Sequence, residues 1–361
     1  VRLLWLEARD FRNHRETSVE VPDGVVAAVG PNAQGKTNLL EAAHYLLTLR
    51  SPRVASDQPL VRAGADQAYL RGEVATAAGQ VLVEVEVRSS GANRIQVNRS
   101  GVRRKRDLRQ RVRSVMFLPE DLAVIQGDPE DRRRFMDEAA FTLWPAEEAV
   151  RAAYDRALRQ RNRLLKENEG AQPPPDLEAW DGEVARHGAA LTSARGRAVE
   201  RVGLRAGDEF ERVAGQRLGV AYAASVESRP EEGLEAAMLR RLGERRDDEL
   251  VRRTTLVGPH RDELDLAVGE LTARRFASHG ESWAGALCLR LGLWGAVSAE
   301  AGEPPVLLLD DPFSGLDPVR RRRLGEGLAE RGQVLIAVPD EAQVPQGAAV
   351  WAVEGGHVRP R

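Results

Sequence analysis

Lysine is almost missing from this chain. Of its 53 basic residues only Lys36, Lys105 and Lys166 are lysine, and the rest are arginine. Genomic base composition is the simplest source of that bias. It still singles out Lys36, which keeps lysine where a compact point charge suits the chemistry. Cysteine is scarcer: Cys288 stands alone, which excludes an internal disulfide and a cysteine-built zinc cluster and points to the reducing cytosol. No apolar run approaches the ~18 residues of a membrane-spanning helix. The N-terminus has no signal-peptide pattern, and no solenoid repeat is visible. A cytoplasmic protein without a membrane partner is therefore expected. Charge of one sign is also lacking: at a net −2, a nucleic acid could be met only where basic residues cluster. A length of 361 residues suits one large or two ordinary domains.

What is present is organised around Gly30-Pro31-Asn32-Ala33-Gln34-Gly35-Lys36-Thr37, which fits the phosphate-binding pattern G-x-x-x-x-G-K-[ST]. Before it, Val25 to Val29 is a short apolar run suited to a buried strand. After it, Asn38 to Leu47 has the pattern of an amphipathic helix. A strand, a glycine loop and a helix N-terminus aim backbone N–H groups at one point, where a triphosphate is favoured. Gly30, Asn32, Gly35, Lys36, Thr37 and Asn38 are the expected nucleotide contacts, with Lys36 reaching the β/γ oxygens and the Thr37 hydroxyl on Mg²⁺. A second nucleotide motif supports the first: Val306-Leu307-Leu308-Leu309-Asp310-Asp311 is an apolar strand ending in two carboxylates, a Walker B. ATP and Mg²⁺ are the expected cofactors, with Asp310 on the metal and Asp311 as the base that orients water.

Between these motifs the pattern changes twice. Val1 to Ala8 and Glu16 to Val21 are expected as strands around a turn at Arg9 to Asn13. Ala68 to Ala75, Gln80 to Arg88 and Arg94 to Asn98 form an expected antiparallel meander. Arg103, Arg104, Lys105 and Arg106 open a basic run that extends to Arg113. It fits either a DNA phosphate contact or a solvated helix face. From Pro129 the spacing becomes helical, with Asp128 as N-cap and Pro129 at the first position. Glu147 to Glu169, a break at Pro173-Pro174-Pro175 and a further helix from Leu177 form an antiparallel hairpin with a coiled-coil seam. His187 falls on that seam and is expected to pack or sit at its rim rather than ligate. The expected division is an ATPase head over 1–128 and 249–361, interrupted by a helical arm over 129–248.

The chain returns to the head with Thr254 to Leu264, expected as a strand running into a turn. Ser278-His279-Gly280 then precedes a helix, a second anion-binding N-terminus. Shortly before a Walker B, it resembles the signature motif of ABC ATPases, and Ser314-Gly315-Leu316-Asp317 stands where their D-loop stands.

Together these residues resemble the RecF family of DNA repair ATPases, relatives of SMC and ABC-type heads. The resemblance rests on Gly35 to Ala42, on Pro119-Glu120-Asp121-Leu122 with Gly127-Asp128-Pro129, Arg132-Arg133 and Phe135-Met136-Asp137, on Gly258-Pro259-His260-Arg261-Asp262, and on Leu308 to Asp311 with Leu316-Asp317. It runs from Arg2 to about Val338. It implies an α/β, ABC-type P-loop head with an antiparallel β flank and an inserted α-helical arm. It further implies ATP-driven head-to-head homodimers, and DNA as partner, both duplex and single/double-strand junctions. The mediator proteins RecR and RecO would then help load RecA at gaps, with links to replication restart and the SOS response. In that dimer Ser278 and Gly280 would meet the nucleotide of the opposite protomer, with Asp317 in the D-loop.

Two positions depart from the family. Ser278-His279-Gly280-Glu281 replaces the usual Ser-Gln-Gly-Gln, placing a charge near phosphate that Arg274 and Arg275 could offset. Val338-Pro339-Asp340 offers no switch histidine, so no γ-phosphate sensor is assigned. Gln126 loosely fits a Q-loop. The alternatives are an SMC-like structural clamp and a transport-type ABC ATPase; the short hairpin and the absent histidine weigh against them.

Overall fold

The computed structural model describes residues 1–361 apart from Arg103, Glu169 and Ala171. Among the described residues, fifteen strands form three sheets. Two sheets belong to one compact unit, made of 1–122, 205–217 and 277–361. The third belongs to the other, made of 123–204 and 218–276.

In the first unit the central sheet is almost wholly parallel. Its order is β15 (His357–Pro360), β14 (Ala349–Glu354), β3 (Val25–Val29), β13 (Val334–Val338), β12 (Val306–Asp310) and β8 (Ser114–Phe117). Only β15 runs antiparallel. β12, β13 and β8 are buried at every position, as their unbroken apolar runs require of strands covered on both faces. The second sheet is antiparallel: β2 (His14–Glu20), β1 (Arg2–Phe11), β4 (Gln67–Thr76), β5 (Gly79–Arg88), β6 (Arg94–Val97) and β7 (Ser100–Gly101). Its strands alternate buried with exposed positions, as one solvated face dictates. β1 continues to Phe11, so the turn falls later than the sequence placed it.

Helix α1 (Lys36–Thr48) lies between these sheets and touches β8, β12 and β13 of one and β1, β4 and β5 of the other. It is therefore buried around most of its circumference and is not amphipathic as expected; Leu39, Leu40, Ala42, Ala43, Leu46 and Leu47 join one core with both sheets. Helix α2 (Lys105–Arg109) follows the meander. Helices α10 (His279–Ala301) and α11 (Pro318–Leu328) complete the unit.

The second unit holds α3 (Ala123–Gln126), α4 (Pro129–Leu143), α5 (Glu148–Glu167), α7 (Leu234–Glu244), α8 (Arg246–Arg252) and α9 (Ala273–Phe276). Helix α6 (Leu177–Ala214) contributes to both units. A three-stranded sheet accompanies the helices, ordered β11 (Leu271–Thr272), β10 (Glu263–Val268) and β9 (Leu218–Ala223). Residues 249–276 thus group with the helices, and 205–217 with the sheets, where the sequence drew the arm at 129–248. Residues 254–258 form no strand; a 3₁₀ turn over Pro259–Arg261 leads into β10 instead. Gly258 explains the order, because its φ of 127° redirects the chain before any pairing begins.

The arginine-rich composition reaches this interior. Arg161 on α5 is fully buried; it donates to Asp181 on α6 at 2.7 Å, to Glu249 on α8 at 2.6 Å and to Thr255 at 2.8 Å. A planar guanidinium spreads five N–H donors in a fixed fork, which suits three acceptors placed around it. Replacing Arg161 by Met would leave two buried carboxylates short of their partner. The expected loss is about 3–5 kcal/mol of stability, read as a lower urea midpoint; an unchanged midpoint would contradict the role given to the network.

Candidate nucleotide site

Four parallel strands, β3, β13, β12 and β8, deliver their C-terminal ends to one edge of the central sheet. The crevice beyond strand ends is where open α/β sheets hold ligands. Here a cavity of ≈ 460 Å³ is lined by Asn32, Ala33, Gly35, Lys36, Thr37 and Asn38 from the loop and α1. Asp310 and Asp311 follow β12, Pro119 follows β8 and Pro339 follows β13. Asn13 and Arg53 close the rim. Gly30 is absent from the lining. It serves by close packing, since a Cβ there would meet Val353 O at 2.2 Å.

The cavity floor joins the two motifs directly. Thr37 Oγ1 donates to Asp310 Oδ2 at 2.8 Å. Lys36 Nζ curls onto the loop itself and donates to Gly30 O at 2.6 Å and Pro31 O at 2.9 Å. Asp311 lies just past β12 with φ 46°, a left-handed conformation that Asp tolerates better than most residues. Its N–H donates to Ala337 O at 2.9 Å, while Oδ1 is buried without a hydrogen-bond partner.

Electrostatics shows what the pocket lacks. Burial raises Asp310 from 3.8 to about 6, and the neighbouring Asp311 and Glu120 add to the rise. Burial also raises Asp311, and burial lowers Lys36. Two partly buried acids share the one lysine of the loop, which is bonded to backbone carbonyls, so a further positive charge suits this pocket. The donor set fits Mg²⁺: a hydroxyl and a carboxylate already in contact, beside a carboxylate oxygen with no bond of its own. Among the described residues no group of three or more His, Cys, Asp or Glu could hold an ion. Mg²⁺ binds through one or two carboxylates and completes its shell with phosphate and water.

Several residues that shape this site carry no motif. Glu41 on α1 is fully buried, and Arg12 forks onto it at 2.8 and 2.7 Å. Arg53 reaches Glu41 at 3.0 Å and Asn38 Oδ1 at 2.9 Å, and Ser51 donates to Glu41 at 2.5 Å. Burial pushes the Glu41 pKa up, but these donors outweigh it and hold the group below the usual carboxylate range. Asn13 donates to Gln34 O at 3.2 Å and accepts from Asn38 at 2.8 Å. Local sequence could not mark Asn13, Arg53, Pro119 and Pro339 as cavity residues, because they come from four separate segments, after β1, α1, β8 and β13.

Ser278 and Gly280 are not among the cavity-lining residues. Ser278 caps α10, and Glu281 completes a capping box: its Oε2 accepts from Ser278 N at 2.9 Å and from Ser278 Oγ at 2.8 Å. Gln216 also donates to Glu281, at 3.0 Å. The unusual Glu281 is thus bonded within its own chain. Arg274, expected to offset it, pairs with Asp128 at 3.6 Å. Gly280 abuts the D-loop: a Cβ there would lie 3.2 Å from Gly315 O. Asp317 caps α11, accepting from Val319 N at 2.9 Å and Arg320 N at 3.0 Å.

Of the basic run, Arg103 lies outside the described residues. Arg104 precedes α2, Lys105 Nζ sits 3.5 Å from Asp57, and Arg106 sits 3.9 Å from Asp107. In the second unit Gly258 to Asp262 forms a structural hub. His260 Nδ1 meets the Tyr154 hydroxyl at 2.6 Å, and Asp262 accepts from Ser225 N at 2.7 Å and from Tyr222. Arg132 forks onto Glu263 at 2.6 and 2.9 Å. His187 stands 3.3 Å from Glu183, and Gln126 is exposed at the end of α3. Among the described residues, no helix is long and apolar enough to cross a membrane.

A mixed sheet with a glycine loop and paired carboxylates at its strand ends, and a Ser-x-Gly opening a neighbouring helix, has the architecture of an ABC- and SMC-type ATPase head. A family model described as RecF/RecN/SMC N terminal domain matches residues 2–356. A DNA replication and repair protein RecF from Streptomyces avermitilis is 44% identical over 351 residues, 94% of each chain. One from Cutibacterium acnes is 40% identical over 388 residues, 98% of each. The fold is similar to solved structures of a recombination mediator protein RecF of the RecFOR pathway, described as RecF-ATPrS and RecF-ATP. Each has a TM-score of 0.89 at 28% identity over 99% of this chain, and 98% and 97% of theirs. An SMC head from Pyrococcus furiosus shares the fold at 14% identity and TM-score 0.56, covering 99% of this chain and 95% of that one. The chain belongs to the RecF family.

The Asp310 shift has a sign that can be measured. Its folded pKa is raised from 3.8 to about 6, so the stability it lends is present below about 3.8 and is lost as pH rises through about 6. Asp310→Asn imitates the protonated form and still accepts from Thr37. Without nucleotide it should exceed the wild type by roughly 1–3 kcal/mol near pH 7, with the gain vanishing below pH ~4. Urea unfolding across that range checks it.

Proposed function

We propose that this chain is an ATP-dependent DNA-binding protein of recombination and repair. In this reading ATP joins two heads, the joined pair holds DNA at single-strand gaps, and slow hydrolysis lets it go. The observation that carries it is the 2.8 Å contact of Thr37 with Asp310 on the floor of a cavity whose lining omits Ser278 and Gly280. One chain thus supplies the phosphate cradle and the metal ligands. The signature residues of a second copy would supply the lid.

Each residue then has a task. Lys36 leaves the Gly30 and Pro31 carbonyls for the β/γ-phosphate oxygens, a stronger, charge-assisted partnership. Thr37 and Asp310 would hold Mg²⁺, which would supply positive charge to neutralise the transferring phosphoryl group. Asp311 orients the attacking water through its unbonded oxygen. Its side chain is one methylene shorter than the Glu usual at this position in ABC ATPases, and such misplacement of a base can cost ~10²-fold in rate. ATP therefore acts chiefly as a clamp signal. Ser278 would exchange its bond to Glu281 for the γ-phosphate of the opposite protomer, with Asp317 beside it.

The relatives named DNA replication and repair proteins support DNA as the partner. Arg104, Lys105 and Arg106, with Arg103, are the proposed phosphate contacts on duplex and junction DNA. RecR and RecO are the proposed mediator partners in loading RecA, in a cytoplasmic setting.

Lys36→Ala should remain folded yet lose ATP binding and ATP-dependent dimers. Mixed with Ser278→Arg protomers it should regain part of its ATPase activity, because each mixed dimer retains one intact composite site. Dimers that survive Lys36→Ala, or mixtures without recovery, would contradict the shared site. Asp311→Asn should trap the ATP-bound dimer on a gapped duplex, seen in sedimentation as a faster complex that persists with ATP and is absent with ADP. Unchanged turnover would remove Asp311 from catalysis.

A further inference from the structure

A buried histidine supports the phosphate loop from behind. His14, at the start of β2, has no exposed surface. Its ring lies between two backbone carbonyls. Nδ1 is 2.8 Å from Gly356 O in the β14–β15 turn, and Nε2 is 3.1 Å from Gly35 O, immediately before Lys36. Carbonyl oxygens only accept. A neutral imidazole carries one N–H, so it serves one carbonyl and turns a lone pair toward the other. The imidazolium serves both. Thr17 Oγ1 lies 3.0 Å from Nδ1 and 3.2 Å from Gly356 O; its single proton serves the ring or the carbonyl but not both, so the conflict at Gly356 O remains.

The Gly35 carbonyl controls more than itself. The Gly35–Lys36 peptide is planar and trans, so its C=O and N–H point in opposite directions. Leu39 N donates to Gly35 O at 2.8 Å, and His14 is its second partner. The preceding carbonyl, Gln34 O, is held in the same way by Gly356 N at 2.9 Å and Asn13 Nδ2 at 3.2 Å. Two hairpin turns thus hold two loop oxygens from behind, and the amides of Gly35 and Lys36 are left for the phosphate side.

We propose that His14 is a positioning residue of the phosphate loop: it sets the tilt of the Gly35–Lys36 peptide through Gly35 O, and it holds that tilt fully only when both ring nitrogens carry protons. The inference rests on the phosphate-site reading above and adds a proton to it. Burial lowers the His14 pKa from 6.5, the Gly356 and Gly35 carbonyls pull it back up, and His357 on β15 pushes it down. Facing the ring are His357 from β15, the neutral Thr17 on its own strand, and loop backbone. Triphosphate in front of the loop adds negative charge, which favours the imidazolium. Linkage is reciprocal: if ATP favours the protonated ring, acid favours ATP.

Two measurements test this. ATP affinity is compared between wild type and His14→Gln, whose amide reaches one carbonyl at most, from pH 8 to pH 5.5. The titrations of the nucleotide and of Asp310 cancel in the ratio. The wild-type advantage should grow by about 3–10-fold toward acid, which corresponds to about 0.5–1 pH unit of linkage. Independently, ¹⁵N spectra of the histidine rings in the wild type should show ATP moving the His14 titration upward by about that amount, so the test survives a variant that folds poorly. ATP binding with an unmoved His14 titration and a pH-independent ratio would overturn the positioning role alone. No ATP binding by the wild type would remove the phosphate site and this inference together.

Discussion

The structure depends on the meeting of two acids with the phosphate loop at the end of β12. Asp310 and Asp311 are held close together at the end of β12, partly out of water, and the one lysine beside them is turned onto backbone carbonyls. An acid whose pKa has risen to about 6 is tolerated because four parallel strands end at the same edge and fix Thr37 against it. The residues joined by that contact are 273 positions apart. The interposed chain can form a unit of its own because the contact needs only the strand ends, and the parallel register of β12, β13 and β3 supplies those.

Around the pocket, arginine–carboxylate bonds tie together segments distant in the chain. Arg12 and Arg53 hold Glu41 beneath the loop helix. Arg290 on α10 forks onto Asp121 at 3.0 and 2.6 Å, and Asp121 accepts from Leu118 N at 2.9 Å. That chain of bonds ties the signature helix to the segment that brings Pro119 into the cavity. Two turns earlier on nearly the same face, the helix packs Trp283 against Gly315, where a Cβ would come within 2.4 Å, and Trp283 donates to Pro312 O at 3.1 Å. The helix that follows Ser278, the Ser314–Asp317 turn and the segment after β12 are therefore packed directly against one another.

Much of this was legible in the residues. The glycine loop, the paired carboxylates at a strand end, the Ser-x-Gly ahead of a helix and the Ser314–Asp317 turn are local patterns, and each lies in the chain where its spacing implied. The meander was legible for the same reason: period-two alternation reports one solvated face. What failed were the judgments that depend on neighbours. The α1 pattern looked amphipathic because Glu41 and His44 interrupt it, yet both are buried, Glu41 by Arg12 and Arg53 and His44 against Ser114 at 2.9 Å. Glu281 looked like a stray charge near phosphate and proves to complete a cap. The segment before β10 looked like a strand because apolar residues precede Gly258, whose backbone turns the chain away.

By itself, then, the sequence determined the chemistry available: a glycine loop with one lysine, a hydroxyl for a metal, two acids at a strand end, and the family to which they belong. Those are properties of residue types at short spacing, where backbone geometry leaves few choices. The tertiary structure alone decided which of them meet and in what medium. It set Asn13, Arg53, Pro119 and Pro339 around the pocket, placed His14 between two carbonyls, and withdrew the carboxylates from water. Burial and long-range pairing arise from how distant segments pack, and no local pattern encodes the dielectric in which a side chain comes to rest.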